Sequence, residues 1–325
     1  MKAEAAYRTE PPDVARQSLK RRAGETLSHL VMPLIAKAAR PYLGGETIED
    51  ALCVAQEITR AESNTSFSYW DRGEESLQEI EARAASALKA LSTMQPKSYL
   101  CLKAPALRYS TNAAVKIAHA AAQHGIGLHF DSHGTETVDR SNHLIEAMAT
   151  VISPEMLGTT LPAALVRSAE DAEWAIAQGF SVRVVKGAWP DPSDPKRDLD
   201  TSFLDLIERL AGRARHVRIG THNYALGRQA VERLAAAGTS CEIETLLGLP
   251  AAALIGWARQ NGVKSRVYIP YGPGYLPNAM GVLRRNPRLA WTIAKAQIRV
   301  FSNSKAPRRS APAAQSPASL SRSES

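Results

Sequence analysis

The chain has 325 residues, of which 44% are apolar, and its 40 Lys plus Arg against 32 Asp plus Glu leave a net charge of +8. That composition supplies an ordinary globular core, and no run approaches the ~18 unbroken apolar residues of a membrane-spanning helix. The N-terminus, with Glu4, Glu10 and Asp13, resembles neither a secretory signal nor a transit peptide. Cys53, Cys101 and Cys241 are far apart, with no C-x-x-C, which argues against a disulfide framework or a cysteine zinc site and fits a reducing cytosol. No zinc finger or aromatic-basic motif indicates nucleic acid as a partner.

In chain order, one apolar stretch at 27–39 and a second helix at 47–61 come first. Eight short apolar strands follow, at 64–71, 99–107, 127–133, 158–163, 181–188, 216–223, 241–248 and 265–272. Their spacing, about 29 residues per step, is that of a βαβ unit. The segments between them read as helices. After the fourth strand Ser168 is a cap with Asp171 reaching back, and Gly179 a stop. After the fifth, a polar stretch at 190–200 leads to a stripe of Phe203, Leu206, Ile207 and Leu210. The sixth is followed by a stripe of Leu226, Ala230, Val231 and Leu234; the seventh by Pro250 as a start and Gly262 as a stop. Eight strands alternating with helices favour a closed α/β barrel, the (β/α)8 or TIM-like fold. The expected organisation is an N-terminal helical segment (1–62), a catalytic barrel (63–303) and a disordered basic tail (304–325) rich in Ser, Pro and Ala. No G-x-G-x-x-G or Walker motif follows any strand, which speaks against a Rossmann domain or a P-loop.

Active sites of such barrels form at the C-terminal strand ends. Lys103, Asp131, His133, Lys186, the run Thr221-His222-Asn223, Glu242, Glu244 and Tyr268 all fall at or near those ends. Polar side chains inside an apolar barrel cost several kcal/mol unless partnered, so their convergence marks either a site or a self-satisfied buried network.

At these residues the chain resembles the proline dehydrogenase family. Val182-Arg183-Val184-Val185-Lys186-Gly187-Ala188-Trp189 is similar to that family's fifth-strand motif. Supporting pieces occur in order: Leu102-Lys103-Ala104-Pro105, Leu128-His129-Phe130-Asp131, Thr221-His222-Asn223, Glu242-Ile243-Glu244-Thr245-Leu246 and Arg266-Val267-Tyr268-Ile269-Pro270. The resemblance covers roughly residues 43–300. It implies a barrel that binds FAD without a Rossmann motif and oxidises L-proline to Δ1-pyrroline-5-carboxylate by hydride transfer to flavin N5. Electrons would pass to a membrane quinone through peripheral contact at the inner face, and the basic tail favours acidic surfaces. Cofactor contacts carried over by position are Arg183, near flavin N5, with Val185, Lys186, Gly187, Ala188, Trp189, Thr221, His222, Asn223 and Glu244. Substrate contacts are Lys103, Asp131, Tyr268 and Leu246, and the Arg284-Arg285 pair would clamp the carboxylate.

Three features depart from the family pattern. Pro162 stands where the fourth strand usually carries a flavin-bonding Gln. Arg284-Arg285 falls three residues later than the shorter family spacing from Tyr268, nearly one helical turn; that spacing would put Gly281 and Val282 in the clamp and Asn278 where a Tyr belongs. His129, Asp131 and His133 alternate along one strand face, the basis of a rival reading as a metal-dependent hydrolase. The altered clamp also leaves room for oxidation of a different cyclic imino acid or secondary amine, or for a barrel that binds ligand without turnover.

Overall fold

The computed structural model describes residues 44–95 and 98–274. The expected helix at 27–39, the basic tail, and Asn278, Gly281, Val282, Arg284 and Arg285 lie outside the described residues. Helix α1 (Ile48–Arg60) leads into eight strands: β1 (Asn64–Tyr69), β2 (Tyr99–Leu102), β3 (Gly127–Phe130), β4 (Leu157–Pro162), β5 (Ser181–Val185), β6 (Val217–Gly220), β7 (Cys241–Leu246) and β8 (Lys264–Tyr271). The intervening helices are α2 (Leu77–Leu91), α3 (Thr111–His124), α4 (Val138–Ala149), α5 (Ser168–Gln178), α6 (Leu199–Leu210), α7 (Tyr224–Ala236) and α8 (Ala252–Gln260). Every strand pairs in parallel with its sequence neighbours, and β1 closes on β8. The expected closed (β/α)8 barrel is the observed fold.

Local chemistry accounts for the helix ends. Thr47 and Ser76 each form a reciprocal capping box, with Asp50 and Glu79 respectively, at the starts of α1 and α2. Asp198 caps α6 and Asn223 caps α7 by accepting from the Leu226 amide. Gly179 closes α5 at φ 73°, as its position predicts. The start of α5 differs from expectation. Arg167 is the N-cap residue without a side-chain cap bond. Ser168 Oγ instead donates to the Pro162 carbonyl at 2.6 Å, tying the helix to the end of β4, and Asp171 accepts from Arg167. The tertiary bond to β4 outcompetes the local box.

All eight strands exist, and most end earlier than their apolar runs suggest. β2 stops at Leu102 rather than 107, because Pro105 has no N–H to extend a ladder and the chain turns through Arg108 and Tyr109, both left-handed at φ 50° and 55°. Two apolar clusters fill the space between barrel and helices, one built around Phe67, Phe130 and Leu88, the other around Val184, Phe203 and Ile219.

The period-2 alternation then sends a different set of side chains into the lumen. TIM barrels usually fill it with branched apolar residues; here it holds Ser66, Tyr99, His129, Arg183, Glu244 and Arg266, all buried. At its N-terminal end Glu242 accepts from Arg266 Nε at 2.7 Å and Arg218 Nε at 3.2 Å. The two guanidinium carbons lie 4.7 and 4.4 Å from the Tyr99 ring centre. This floor holds two guanidiniums on one carboxylate and leaves the opposite end of the barrel to carry a site.

Candidate active site

A cavity of about 680 Å³ opens over the C-terminal strand ends, within the size range of small-molecule and cofactor sites. Its floor is one connected ionic network. Asp131, one residue past β3, accepts from Arg183 Nη2, from Tyr268 Oη at 2.7 Å and from Ser68 Oγ at 3.0 Å, and pairs with Lys103 Nζ at 3.4 Å. Lys103 also donates to Ser68 Oγ at 2.5 Å and to the Tyr69 carbonyl at 3.1 Å, and lies 4.6 Å from the Trp70 ring centre. Arg183 directs its remaining donors to Thr160 Oγ1, at 2.9 and 3.1 Å, and to Glu244 at 3.4 Å. Glu244 is held in turn by Tyr99 Oη at 2.6 Å and Ser66 Oγ at 2.7 Å.

Burial raises the Asp131 carboxyl, but the adjoining Arg183 and Lys103 outweigh it and hold the group ionised, well below the usual carboxylate range. Burial lowers Lys103 against the pull of Asp131, and burial with the Asp131 charge pushes the Tyr268 phenol well up, so it stays a donor. In the lower layer Glu242 is likewise depressed, burial being overcome by Arg266.

These shifts have a stability consequence with a definite sign. A carboxyl depressed by folding binds fewer protons in the folded than in the unfolded state over the interval between its two pKa values. Its contribution is complete above the unfolded value, near 4, and is lost as pH falls through the folded one. The midpoint of thermal unfolding is therefore expected to be insensitive to Asp131 and Glu242 from pH 7 to about 5 and to drop steeply below about 4. Glu242→Gln, which cannot lose a charge, should flatten that drop; the same acid slope in variant and wild type would remove Glu242 from the account.

Most of the residues singled out in the sequence meet at this cavity. Lys103, Asp131, Arg183, Tyr268, Leu246 and Glu244 line it, as do Val185, Gly187, Ala188, Trp189 and His222. Four lie elsewhere, Glu242 among them at the opposite, N-terminal end of the lumen. The Lys186 ammonium pairs with Asp200 on the half-exposed outer side. Thr221 Oγ1 accepts from the Asn223 amide at 3.1 Å, and Asn223 caps α7, so both hydroxyl and amide shape the β6–α7 turn. His222 reaches the wall: its Nε2 accepts from the Leu246 amide at 3.0 Å, which leaves the proton on Nδ1, and burial keeps the ring neutral. Pro162 ends β4, and the polar group that β4 presents to the cavity is Thr160, two residues earlier. Ser68, Thr160, Trp70 and Arg108 are site residues that motif reading missed; only the alternation of Ser66 and Ser68 along β1 could have flagged that strand as facing a polar lumen.

The metal reading is overturned. His129 Nε2 shares a hydrogen bond with Thr160 Oγ1 at 3.0 Å, its Nδ1 faces Arg218 Nη1 at 3.4 Å, and Asp131 is engaged by cations. Among the described residues no group of three His, Cys, Asp or Glu is arranged to hold a metal ion. Among the same residues no helix is long and apolar enough to cross a membrane.

The cavity also passes a test for a flavin. Gly187, at φ 95° and with no room for a Cβ against Pro162, lines the cavity with backbone alone. Arg183 offers a fixed buried cation beside it. Bare backbone and an anchored guanidinium suit an anionic, ring-bearing cofactor.

A closed parallel barrel with a charged network under a C-terminal cavity is an enzyme scaffold, and comparison with known proteins gives its class. The family model described as Proline dehydrogenase matches residues 51–280. The chain belongs to the proline dehydrogenase family, FAD-dependent oxidoreductases. It is similar to Proline dehydrogenase 1 of Bacillus subtilis (strain 168), 23% identical over 271 residues that cover 79% of this chain and 89% of that protein. Among solved structures it is similar to proline utilization A (PutA) from Bdellovibrio bacteriovorus, with a TM-score of 0.70 and 15% identity over 85% of this chain. PutA from Corynebacterium freiburgense gives a TM-score of 0.62 and 17% identity over 93% of this chain. The chain spans about a third of those solved chains, 35% and 36% respectively, and at these identities the likeness is one of fold.

Proposed function

We propose that this protein oxidises L-proline to Δ1-pyrroline-5-carboxylate with bound FAD as hydride acceptor, and passes the electrons to a quinone. The observation that carries the reading is the Lys103–Asp131–Arg183–Tyr268 network under the cavity, joined to family membership. FAD supplies the two-electron acceptor; the protein supplies position and charge. Arg183, Val185, Gly187, Ala188 and His222 are the residues that would hold it, Arg183 offering a fixed cation to the negative charge of the reduced ring. Lys103 is the cation for the substrate carboxylate. Asp131 keeps both cations in place and takes no proton itself, since it is held ionised. Leu246 and the Tyr268 ring wall an apolar substrate ring from water.

The test is an absorption spectrum of the purified protein followed by anaerobic titration with L-proline. A yellow protein whose visible flavin band bleaches in proportion to added proline is expected. A protein that neither carries nor takes up FAD, or one whose flavin stays oxidised, defeats the proposal. Titrating other cyclic imino acids in parallel ranks the substrates.

A further inference from the structure

One group on the cavity wall is left over by these roles. The wall's acidic and basic side chains are nearly all committed: Asp131 and Glu244 to cations and hydroxyls, Tyr268 to Asp131, His222 Nε2 to the Leu246 amide. Glu75 accepts from the Arg72 amide and from Tyr69 Oη. His133 is not committed. It lies two residues beyond Asp131 on the same side of the chain, lines the cavity, and packs against Trp189 with ring centres 5.7 Å apart. Its Nδ1 is enclosed by protein without a hydrogen bond of proper geometry, so a molecule in the cavity reaches the ring only at Nε2. Nε2 makes no hydrogen bond among the described residues.

We propose that His133 Nε2 is the base that takes a proton from the ammonium of the bound cyclic amino acid. The inference rests on the flavin reading above. The chemistry requires such a step: an ammonium nitrogen has no lone pair to form the C=N bond as hydride leaves the adjacent carbon. The N–H bond breaks, its electron pair stays on nitrogen, and the proton bonds to His133 Nε2. The neutral amine would then have the lone pair that the C=N bond needs, the hydride going to the two-electron acceptor that FAD would supply, and the protonated imine and His133 would each release a proton to water as product leaves.

The surroundings suit a base. Burial lowers the imidazole and favours the unprotonated ring. The groups that face it are Asp131 from the same loop after β3, Lys103 just past β2 and Asp71 from the loop after β1, with the Trp189 ring from the loop after β5. Lys103 opposes its protonation; Asp131 and Asp71 allow it to hold a proton briefly. Asp71 Oδ1 accepts from the Gly73 amide.

The test compares wild type with His133→Gln, and with His133→Asn should the first fail to fold. Anaerobic flavin reduction by L-proline at pH 7 is expected to slow by ~10²-fold in the variant, on the scale of one general base. Its rate should then rise about tenfold per pH unit, following the free amine in solution, while wild type levels off. A second readout needs no turnover. Proline is bound to the dithionite-reduced holoenzyme by calorimetry in two buffers of different ionisation enthalpy. It should release close to one proton more from the variant than from wild type. Equal proton counts and superimposable pH profiles overturn His133 as the base. A wild-type flavin that proline does not bleach overturns the underlying reading instead.

Discussion

Arg183→Ala is expected to give a protein that unfolds on the order of 10 °C lower and reduces flavin at least ~10²-fold more slowly. The two effects have one origin. Arg183 is the only guanidinium among the described residues that joins Asp131 to Glu244, and all three are buried or nearly so. Removing one member of a buried ion pair leaves the other charge without compensation, a loss of ~3–5 kcal/mol. Asp131 would keep Lys103, and Glu244 would keep Tyr99 and Ser66, so the loss falls short of unfolding. The same vacancy deprives a reduced flavin of its fixed cation. Arg183→Lys separates the effects: an ammonium restores charge but cannot serve Thr160, Asp131 and Glu244 together as the fork does. It should recover part of the stability and little of the reduction rate. Differential scanning calorimetry and flavin content measure the first effect, anaerobic stopped-flow the second. An alanine variant with wild-type melting and full flavin would remove Arg183 from both roles.

Lys103→Met should show the opposite balance. Methionine preserves length and apolar stem, and Asp131 retains Arg183, Tyr268 and Ser68, so the unfolding free energy should fall by only about 1 kcal/mol. Burial of the lysine lowers its tendency to hold a proton, so its removal also relieves some desolvation cost. Proline turnover, by contrast, loses the cation assigned to the substrate carboxylate. A fall of ~10²–10³ in kcat/KM is expected, carried mainly by KM, with flavin content unchanged. Steady-state kinetics across proline concentration checks it. If kcat/KM holds while the protein melts early, Lys103 is a strut of the barrel and not a substrate ligand.

The barrel was legible because its signals are local and repeated. Strands such as Tyr99–Leu102 are continuous apolar runs, which is what a parallel strand covered by helices requires. The helix stripes, of which Leu226, Ala230, Val231 and Leu234 are one, all came out buried. Overrun at strand ends has a plain cause. An apolar run shows where side chains are buried, but a strand ends where its ladder of backbone bonds ends, and residues past Leu102 remain covered while pairing with no neighbour.

The candidate site was legible by kind and only partly by partner. Lys103 and Asp131 could be marked as polar residues at strand ends, since position in the chain fixes height in the barrel, whereas Arg183 was marked only by the family resemblance. Which of them meet was decided by closure and stagger, which bring β2, β3 and β5 side chains to one point across the lumen. No linear pattern shows that Thr160 rather than residue 162 presents β4's hydroxyl to Arg183, or that Lys186 turns outward to Asp200. Nor does spacing reveal that His129 is already satisfied by Thr160 while His133, four residues on, is not. Residue order dictated the (β/α)8 plan, through periodicities of 2 and 3.6 that each segment carries within itself. The assembled barrel alone settled how the lumen charges pair, because hydrogen bonds and ion pairs act over about 3 Å between residues 178 apart in sequence, as from Ser66 to Glu244.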